Sequence, residues 1–391
     1  MLQMDEDRCG EPQLAGPGRS KSAPRTRPPA PAIGDNPAMW RSLRWCRVAV
    51  CMVGLAACGS SPSSGGDGGG GGDGSGTGGL PPDGDGGGTG SAPASCVGLA
   101  ATCGASGNES CCNSPQVAGG TYDRSYDVAG DGNSGNMNSP ATVSSFRLDK
   151  YEVTVGRFRA FVKAGIGTQA APPQPGAGAH ANIVGSGWDP SWNTRLVADT
   201  QALVAAVKCS ATAQTWTDMP GDNEARPMNC VTWYEAMAFC AWDGGYPPTE
   251  AEWNYAATGG DQQRAYPWSN PPASSTVDGT HASYFDGTNC VGDGMAGCAL
   301  TDLVRVGTKP DGDGRWGQSD LAGNVAEWTL DWLSAYRNPC ADCANLAAAS
   351  ERVIRGGSFG LSAFFLRTTP RSPFAPMDRS PGIGVRCARP Q

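Results

Sequence analysis

The sequence predicts a mixed α+β domain with little regular secondary structure, one that needs external staples to stay folded. Three observations lead there. Strand-like alternation and helix-like apolar stripes come in short runs, separated by long stretches rich in Gly, Pro and Asn. Twelve cysteines, an even number, fall from Cys96 onward, as a disulfide framework requires. Finally, Asp320 to Trp332 reads D-L-A-G-N-V-A-E-W-T-L-D-W, with Asp320 and Glu327 bracketing a Gly323-Asn324 turn. The apolar run behind that turn suits a buried strand or a short helix. Carboxylate and turn-carbonyl oxygens with no His or Cys nearby suit a hard cation such as calcium. A solvated acidic turn leading into a core strand is the other reading of the same residues.

Composition sets the outer bounds. The chain has 391 residues and a net charge of −8. That charge, with no basic patch interleaved with aromatics, argues against nucleic-acid binding. Only His180 and His281 are present, which excludes a multi-histidine metal centre, and nothing beside either points to a catalytic dyad. Residues 1–38 are rich in Pro, Arg and Gly, and residues 59–95 are almost only Gly, Ser, Asp, Pro and Thr. Neither stretch carries enough apolar side chain to offset its ordering entropy.

The N-terminal region addresses the chain to the cell envelope. From Met39, M-W-R-S-L-R-W-C-R precedes V-A-V-C-M-V-G-L-A-A-C, an arginine-bearing segment and then a short apolar one, as in a bacterial secretory signal. The apolar stretch is too short to serve as a comfortable final membrane anchor. Leu55-Ala56-Ala57-Cys58 resembles a lipoprotein signal-peptidase site, with Cys58 as the lipidated residue; ordinary cleavage near Ala57 is the alternative. The expected organisation is a disordered or mis-called extension (1–38), a signal peptide (39–58), a linker (59–95), a Cys-rich head (96–142) and the main domain (143–391). As a flexible coil, a linker of about 37 residues has an r.m.s. reach of roughly 35 Å. The expected location is the envelope, facing the periplasm or the cell surface, with the membrane engaged through the lipid.

Cysteine usage agrees with export. Cys96, Cys103, Cys111 and Cys112 crowd into a stretch with too little apolar surface to hold itself together. Disulfides are the favoured reading there and zinc the competing one. Cys290 with Cys298, and Cys340 with Cys343, sit in turn-rich loops and are expected to pair locally. Cys340-x-x-Cys343 also has redox spacing, but without a βαβ context it reads as structural.

The main domain then runs in order. F-R-L-D-K-Y-E-V-T from Phe146 alternates like a half-buried strand. Thr154 N-caps a helix to Val162, with Phe158, Phe161 and Val162 on one face. Residues 165–200, with Trp188 and Trp192, read as a long ordered loop. Asn229 to Val231 reads as a short strand, and Thr232 with Glu235 forms a capping box for the next helix. Thr249 with Glu252 does the same for T-E-A-E-W-N-Y-A-A, which Gly259-Gly260 ends. Arg352 to Phe359 reads as a strand broken by a glycine pair, and Gly382 to Cys387 as the last strand.

Six of these stretches, in order, resemble the sulfatase-modifying-factor family, whose best-known member is the formylglycine-generating enzyme. They are Y-E-V-T, P-M-N-C-V-T-W-Y-E-A-M-A-F-C-A-W, P-P-T-E-A-E-W-N-Y-A-A, D-L-A-G-N-V-A-E-W, R-V-I-R-G-G-S-F and G-I-G-V-R-C, within about residues 143–389. The resemblance implies a C-type-lectin-like fold and a calcium loop. In that loop Asp320 and Glu327 would bind through their side chains, and Leu321, Gly323 and Val325 through carbonyls. A second family calcium loop would fall near Ser283-Tyr284. The resemblance also implies a disulfide between Cys240 and Cys387. A second family disulfide lacks both partners, one of which would fall at Ala257, and Cys209 with Cys230 is a candidate replacement.

The family's chemistry does not carry over. In the oxidase two cysteines shortly after G-G-S-[YF] bind copper(I), which activates dioxygen to oxidise a substrate cysteine. Here those positions hold Leu361 and Leu366, and leucine cannot ligate a metal, so copper is not expected. Ala326 stands where the family has a tryptophan and Gly382 where it has an asparagine, while Ser358 is kept. Two function classes follow. One is an anchored, calcium-stabilised, non-catalytic binding or scaffold module. Its candidate ligand-binding residues are Arg355, Ser358, Phe359, Arg367 and Arg371, and its ligand an envelope protein, a peptide or a glycan. The other is a formylglycine-generating or related oxidase, which would need a pair of free thiols.

Overall fold

The computed structural model describes residues 92–130 and 139–391. The expected extension, the signal peptide with Cys58 and the linker up to residue 91 lie outside the described residues. All described residues fall in one compact unit, Asp83–Gln391.

Among the described residues four short α-helices have side-chain caps, three of them the caps expected. In α1 (Val155–Ala164) the Thr154 side chain accepts from Arg157 N, and Gly165 at φ +72° ends the helix. The helix α2 (Thr200–Ala206) starts on Asp199, which caps Ala202 N. Full capping boxes start α3 (Trp233–Trp242) on Thr232 and Glu235, and α4 (Glu250–Ala257) on Thr249 and Glu252.

Among the described residues ten strands form three small sheets. One runs β1 (Gln116–Val117), β4 (Phe146–Leu148), β10 (Ala388–Arg389); a second runs β2 (Gly120–Asp123), β3 (Pro140–Val143), β6 (Cys340–Ala341). The third, at the centre, runs β8 (Ser372–Phe374), β7 (Arg352–Arg355), β5 (Ala326–Trp332), β9 (Ile383–Gly384). The apolar run after Asp320 is thus a strand, β5, buried along its whole length. It is pinned from outside the ladder as well. Trp233 donates from its indole to Thr329 O at 2.8 Å, and Trp328 to Val231 O at 3.1 Å. Around it Phe158, Phe161, Phe239, Trp233, Trp328 and Val385 form the main core between α1, α3 and the central sheet. Each such side chain, fully buried, contributes about 1.5–3 kcal/mol.

The structure differs from the sequence reading in three places. Asn229 to Val231 is not a strand: Cys230 is left-handed (φ 60°) and disulfide-bonded to Cys209, so the chain turns there. The break expected at the glycine pair is kept, since the strand from Arg352 stops at Arg355 where Gly356 and Gly357 take φ 92° and 69°. Of Gly382 to Cys387 only Ile383–Gly384 is strand (β9), and the next strand, β10, starts at Ala388 in a different sheet. The stretch 96–142 is not a separate head, since β1 pairs with β4 and β3 with β6. Only its first part is a stapled knob, closed by Cys96–Cys112 and Cys103–Cys111.

The remaining disulfides are Cys240–Cys387, Cys290–Cys298 and Cys340–Cys343. With Cys209–Cys230 they leave no free thiol among the described residues. Among those residues no helix is long and apolar enough to cross a membrane.

Candidate functional site

Three neighbouring regions carry the residues singled out from the sequence. The first is the loop before β5. Three left-handed residues curl it: Asp320 (φ 58°), Gly323 (φ 87°) and Asn324 (φ 56°). A side chain at Gly323 would run into Ser283 O, so only glycine fits there. Gly323 N donates to Gly356 O and Asn324 N to Ser283 O, both at 2.9 Å, which clamps the loop between β7's glycine kink and the 283 segment. Inside, Glu152 accepts from Val325 N at 3.0 Å and from the Asn324 amide at 2.7 Å. Glu327 accepts from Arg386 through Nε at 2.9 Å and Nη2 at 2.7 Å, and from the Trp253 indole at 2.7 Å. Asp320 accepts from Gly307 N at 2.6 Å.

The electrostatics of this loop are lopsided. Burial, backed by Asp313 and Glu327, pushes Asp320 up to about 6 against the opposing pull of Gly307 N and Arg386. Burial next to Asp320 and Glu327 raises Glu152 well above the usual carboxylate range. Arg386 is the cation paired with this group, and it is also held by Asp149 O, Lys150 O and Ser319 O.

Several oxygens here also lack donors. Outside the strand ladders no hydrogen bond among the described residues ends on the carbonyl of Leu321, Gly323 or Val325. Asp313 Oδ1, Gln318 Oε1 and Asn324 Oδ1 are buried without partners. Excess negative charge beside donor-free oxygens fits a hard cation at Asp320 and the three carbonyls. Glu327 would then be shared with Arg386. No three His, Cys, Asp or Glu side chains converge on one point among the described residues, so carbonyls would have to supply much of the shell. Near the other family loop, Ser283 donates from Oγ to Asp302 O.

The second region is the stretch where the family keeps copper. Leu366 is buried with Ala265, Tyr266, Ala282, Tyr284 and Ala322, and Leu361 O accepts from Phe285 N at 2.9 Å. Neither offers a donor atom to a metal, so the residues present do not fit copper. Ser358 is 3% exposed, and a Cβ at Gly382 would lie 2.9 Å from its Oγ. Phe359 is half-buried, its N–H on Asn324 O.

The third region is an arginine cluster at the start of α4. Arg355 is 1% exposed and donates to Glu250 Oε1 from Nε (3.0 Å) and Nη2 (2.6 Å), to the Tyr336 hydroxyl at 2.7 Å and to Ser125 Oγ at 3.1 Å. Arg371 holds the same carboxylate with two hydrogen bonds of 2.6 Å, one to each oxygen. Burial raises the Glu250 carboxyl, but Arg371 and Arg355 more than offset this and bring it to about 2. Nearby, burial and Glu250 push Asp331 up to about 7.

The five expected ligand-binding residues are therefore not one cleft. Arg355 is fully committed to Glu250 and its neighbours, while Arg371 gives Glu250 two of its donors and keeps others. Ser358 and Phe359 make none of that cluster's contacts, and Arg367 lies half-buried at the end of the 363–366 turn. Sequence reasoning missed Glu152, Glu250 and Tyr336. The first two were visible only as polar residues of a strand and a helix start. Tyr336 carried no signal.

Comparison with known proteins completes the picture. Residues 102–391 match the sulfatase-modifying factor enzyme 1-like domain. The formylglycine-generating enzyme of Bos taurus is 27% identical over 263 residues, 63% of this chain and 66% of that protein. The Bos taurus protein called inactive C-alpha-formylglycine-generating enzyme 2 is 32% identical over 167 residues, 41% of this chain and 50% of its own length. Among solved structures, PvdO from Pseudomonas aeruginosa aligns at a TM-score of 0.48 and 22% identity, covering 71% of this chain and 93% of PvdO.

Proposed function

This chain belongs to the sulfatase-modifying factor enzyme 1-like family, and from that premise we propose that it is a non-catalytic binding or scaffold module of the cell envelope, anchored through a lipid on Cys58. One observation carries the reading. All twelve cysteines from Cys96 onward are in disulfides, and Leu361 and Leu366 occupy the positions that the family resemblance assigns to the copper ligands. Copper(I) needs soft thiolates, and a disulfide sulfur is not one. The inactive relative shows that a member of this family need not be an oxidase.

Calcium belongs to the same proposal. It would sit at Asp320 with the carbonyls of Leu321, Gly323 and Val325, and with Glu327 at the edge. There it would neutralise buried carboxylates and hold the loop that leads into β5. Its role would be structural.

The competing reading, a formylglycine-generating oxidase acting on exported proteins, is favoured by the relatives that carry that name. It would need Cys290–Cys298 or Cys340–Cys343 reduced to supply ligands. The test is an assay of the oxidised protein with copper(I), reductant, oxygen and a Cys-x-Pro-x-Arg peptide, followed by mass. No conversion beside an active control is expected. Formylglycine in the peptide would overturn the non-catalytic reading.

A further inference from the structure

A small cavity of about 20 Å³ opens beside the α4 arginine cluster, and its lining includes Arg124, Arg337, Arg371, Tyr336, Glu250 and Asp331. A space of this size holds about one water or one small group. The charge around it is opposite to that of the whole chain. Arg124, Arg337 and Arg371 line it with Glu250 and Asp331, and Arg355 pairs with Glu250 beside it, in a protein of net charge −8.

The arginines differ in what they have left to offer. Arg124 is well occupied, donating to Ser139 O, Arg337 O and Asn338 Oδ1, with its guanidinium 4.4 Å from the Tyr336 ring centre. Arg371 lies 4.1 Å from the same ring. It directs Nε and Nη2 at Glu250 and Nη1 at Ser334 O, so one N–H on each terminal nitrogen is unassigned. The exposed Arg337 guanidinium makes no hydrogen bond or ion pair among the described residues. Unassigned guanidinium donors, a surplus of positive charge and an open floor beside an aromatic ring make a receptor for a flat oxyanion.

We propose that this cavity is a carboxylate-binding subsite, in which Arg371 and Arg337 take a ligand's carboxylate beside the Tyr336 ring. The class follows from shape. A carboxylate is planar and presents two oxygens to a guanidinium edge. A tetrahedral sulfate or phosphate carries oxygens out of the plane of the Arg371 guanidinium edge, which the Tyr336 ring flanks at 4.1 Å. The assignment deepens the binding-module reading and rests on it, naming the chemistry that the module would recognise.

The experiment is an NMR titration of the full chain, labelled at arginine nitrogens, with sodium acetate at ionic strength held constant by sodium chloride. Acetamide and sodium sulfate form parallel arms. Saturable shifts of the Arg371 and Arg337 signals are expected with acetate at millimolar affinity, none with acetamide, and weaker ones with sulfate. Arg337→Ala removes an exposed side chain that the fold does not use, and is expected to weaken acetate by at least about fivefold, the worth of one charge-assisted hydrogen bond. Shifts that acetamide reproduces, sulfate that binds as well as acetate, or an Arg337→Ala protein with undiminished affinity would each overturn the assignment. Formylglycine formation in the oxidase assay would instead remove the binding-module reading and leave this titration as measured, so the two failures are distinguishable.

Discussion

Two buried charge clusters border the same short segment, Asp149 to Glu152, and they are built oppositely. In the first, Arg157 donates to Asp149 at 2.8 Å and to Asp243 at 2.5 Å, while Arg389 reaches the same two carboxylates at 3.1 and 2.7 Å. Two cations meet two anions there. Burial would raise Asp149, yet Arg389 and Arg157 hold it below its usual value. In the second, Glu152, Asp320, Glu327 and the half-buried Asp313 share Arg386, and Asp320 and Glu152 are pushed up. The balanced cluster staples the knob, α1, the end of α3 and β10, since Arg157 also donates to Ser95 Oγ at 2.9 Å. The unbalanced cluster is short of positive charge, and a proton or a cation must make it up.

The largest effect should come from breaking the balanced cluster. Arg157→Ala leaves Asp149 and Asp243 with only Arg389, and removing one partner of a fully buried pair costs about 3–5 kcal/mol. Chemical denaturation measures it. A loss below about 1 kcal/mol would mean that the cluster is not the staple described.

The α4 cluster extends the comparison, with cations in excess, and predicts an acid-sensitive limb. Against the upward push of burial, Arg371 and Arg355 hold the Glu250 carboxyl down at about 2, below the usual 4.5. A depressed carboxylate stabilises fully above about pH 4.5, and that contribution is lost as pH falls toward 2. The difference corresponds to about 3 kcal/mol. Asp331, raised to about 7, acts in the other direction, its stabilising contribution declining as pH rises from its ordinary value through 7. Denaturation of wild type and Glu250→Gln between pH 5.5 and 2.5 should show the gap between them closing with acid. A constant gap would sink the ion-pair account.

Calcium tests the unbalanced cluster directly. At free calcium one hundred times Kd, linkage gives about 2.7 kcal/mol of added stability. Melting curves with calcium and with chelator should therefore separate in the wild type and coincide in Asp320→Ala. Curves that coincide in the wild type would leave protons as the compensating charge.

Much of the fold could be read locally. The Thr154, Thr232 and Thr249 caps and the Gly356-Gly357 break are signals carried within a few residues, and the structure keeps all of them. The loop at Asp320 was visible because glycine, asparagine and two carboxylates declare a tight acidic turn. What could not be read depends on distant partners. Asp149 with Arg389 spans 240 positions and Glu250 with Arg355 spans 105. Nothing near Arg355 in sequence announces Glu250, so it looked available to a ligand. The Asn229–Val231 strand failed similarly, because a disulfide partner at Cys209 decided the Cys230 backbone.

The smallest predicted effect is the sharpest control on these contrasts. Arg337 and Arg355 carry the same charge and line or border the same cavity, yet one is exposed with no partner among the described residues and the other is fully buried against Glu250. Arg337→Ala should leave stability within about 0.5 kcal/mol, as exposed sites do. Arg355→Ala should cost about 3–5 kcal/mol, because it strips a buried carboxylate of a guanidinium that donates twice to its Oε1. If the two substitutions cost the same, local charge rather than burial and pairing would govern stability here, and the division between structural and ligand-facing arginines would fall with it. If they separate, Arg337 is the residue at which binding can be altered without disturbing the fold, which is the property the acetate titration requires.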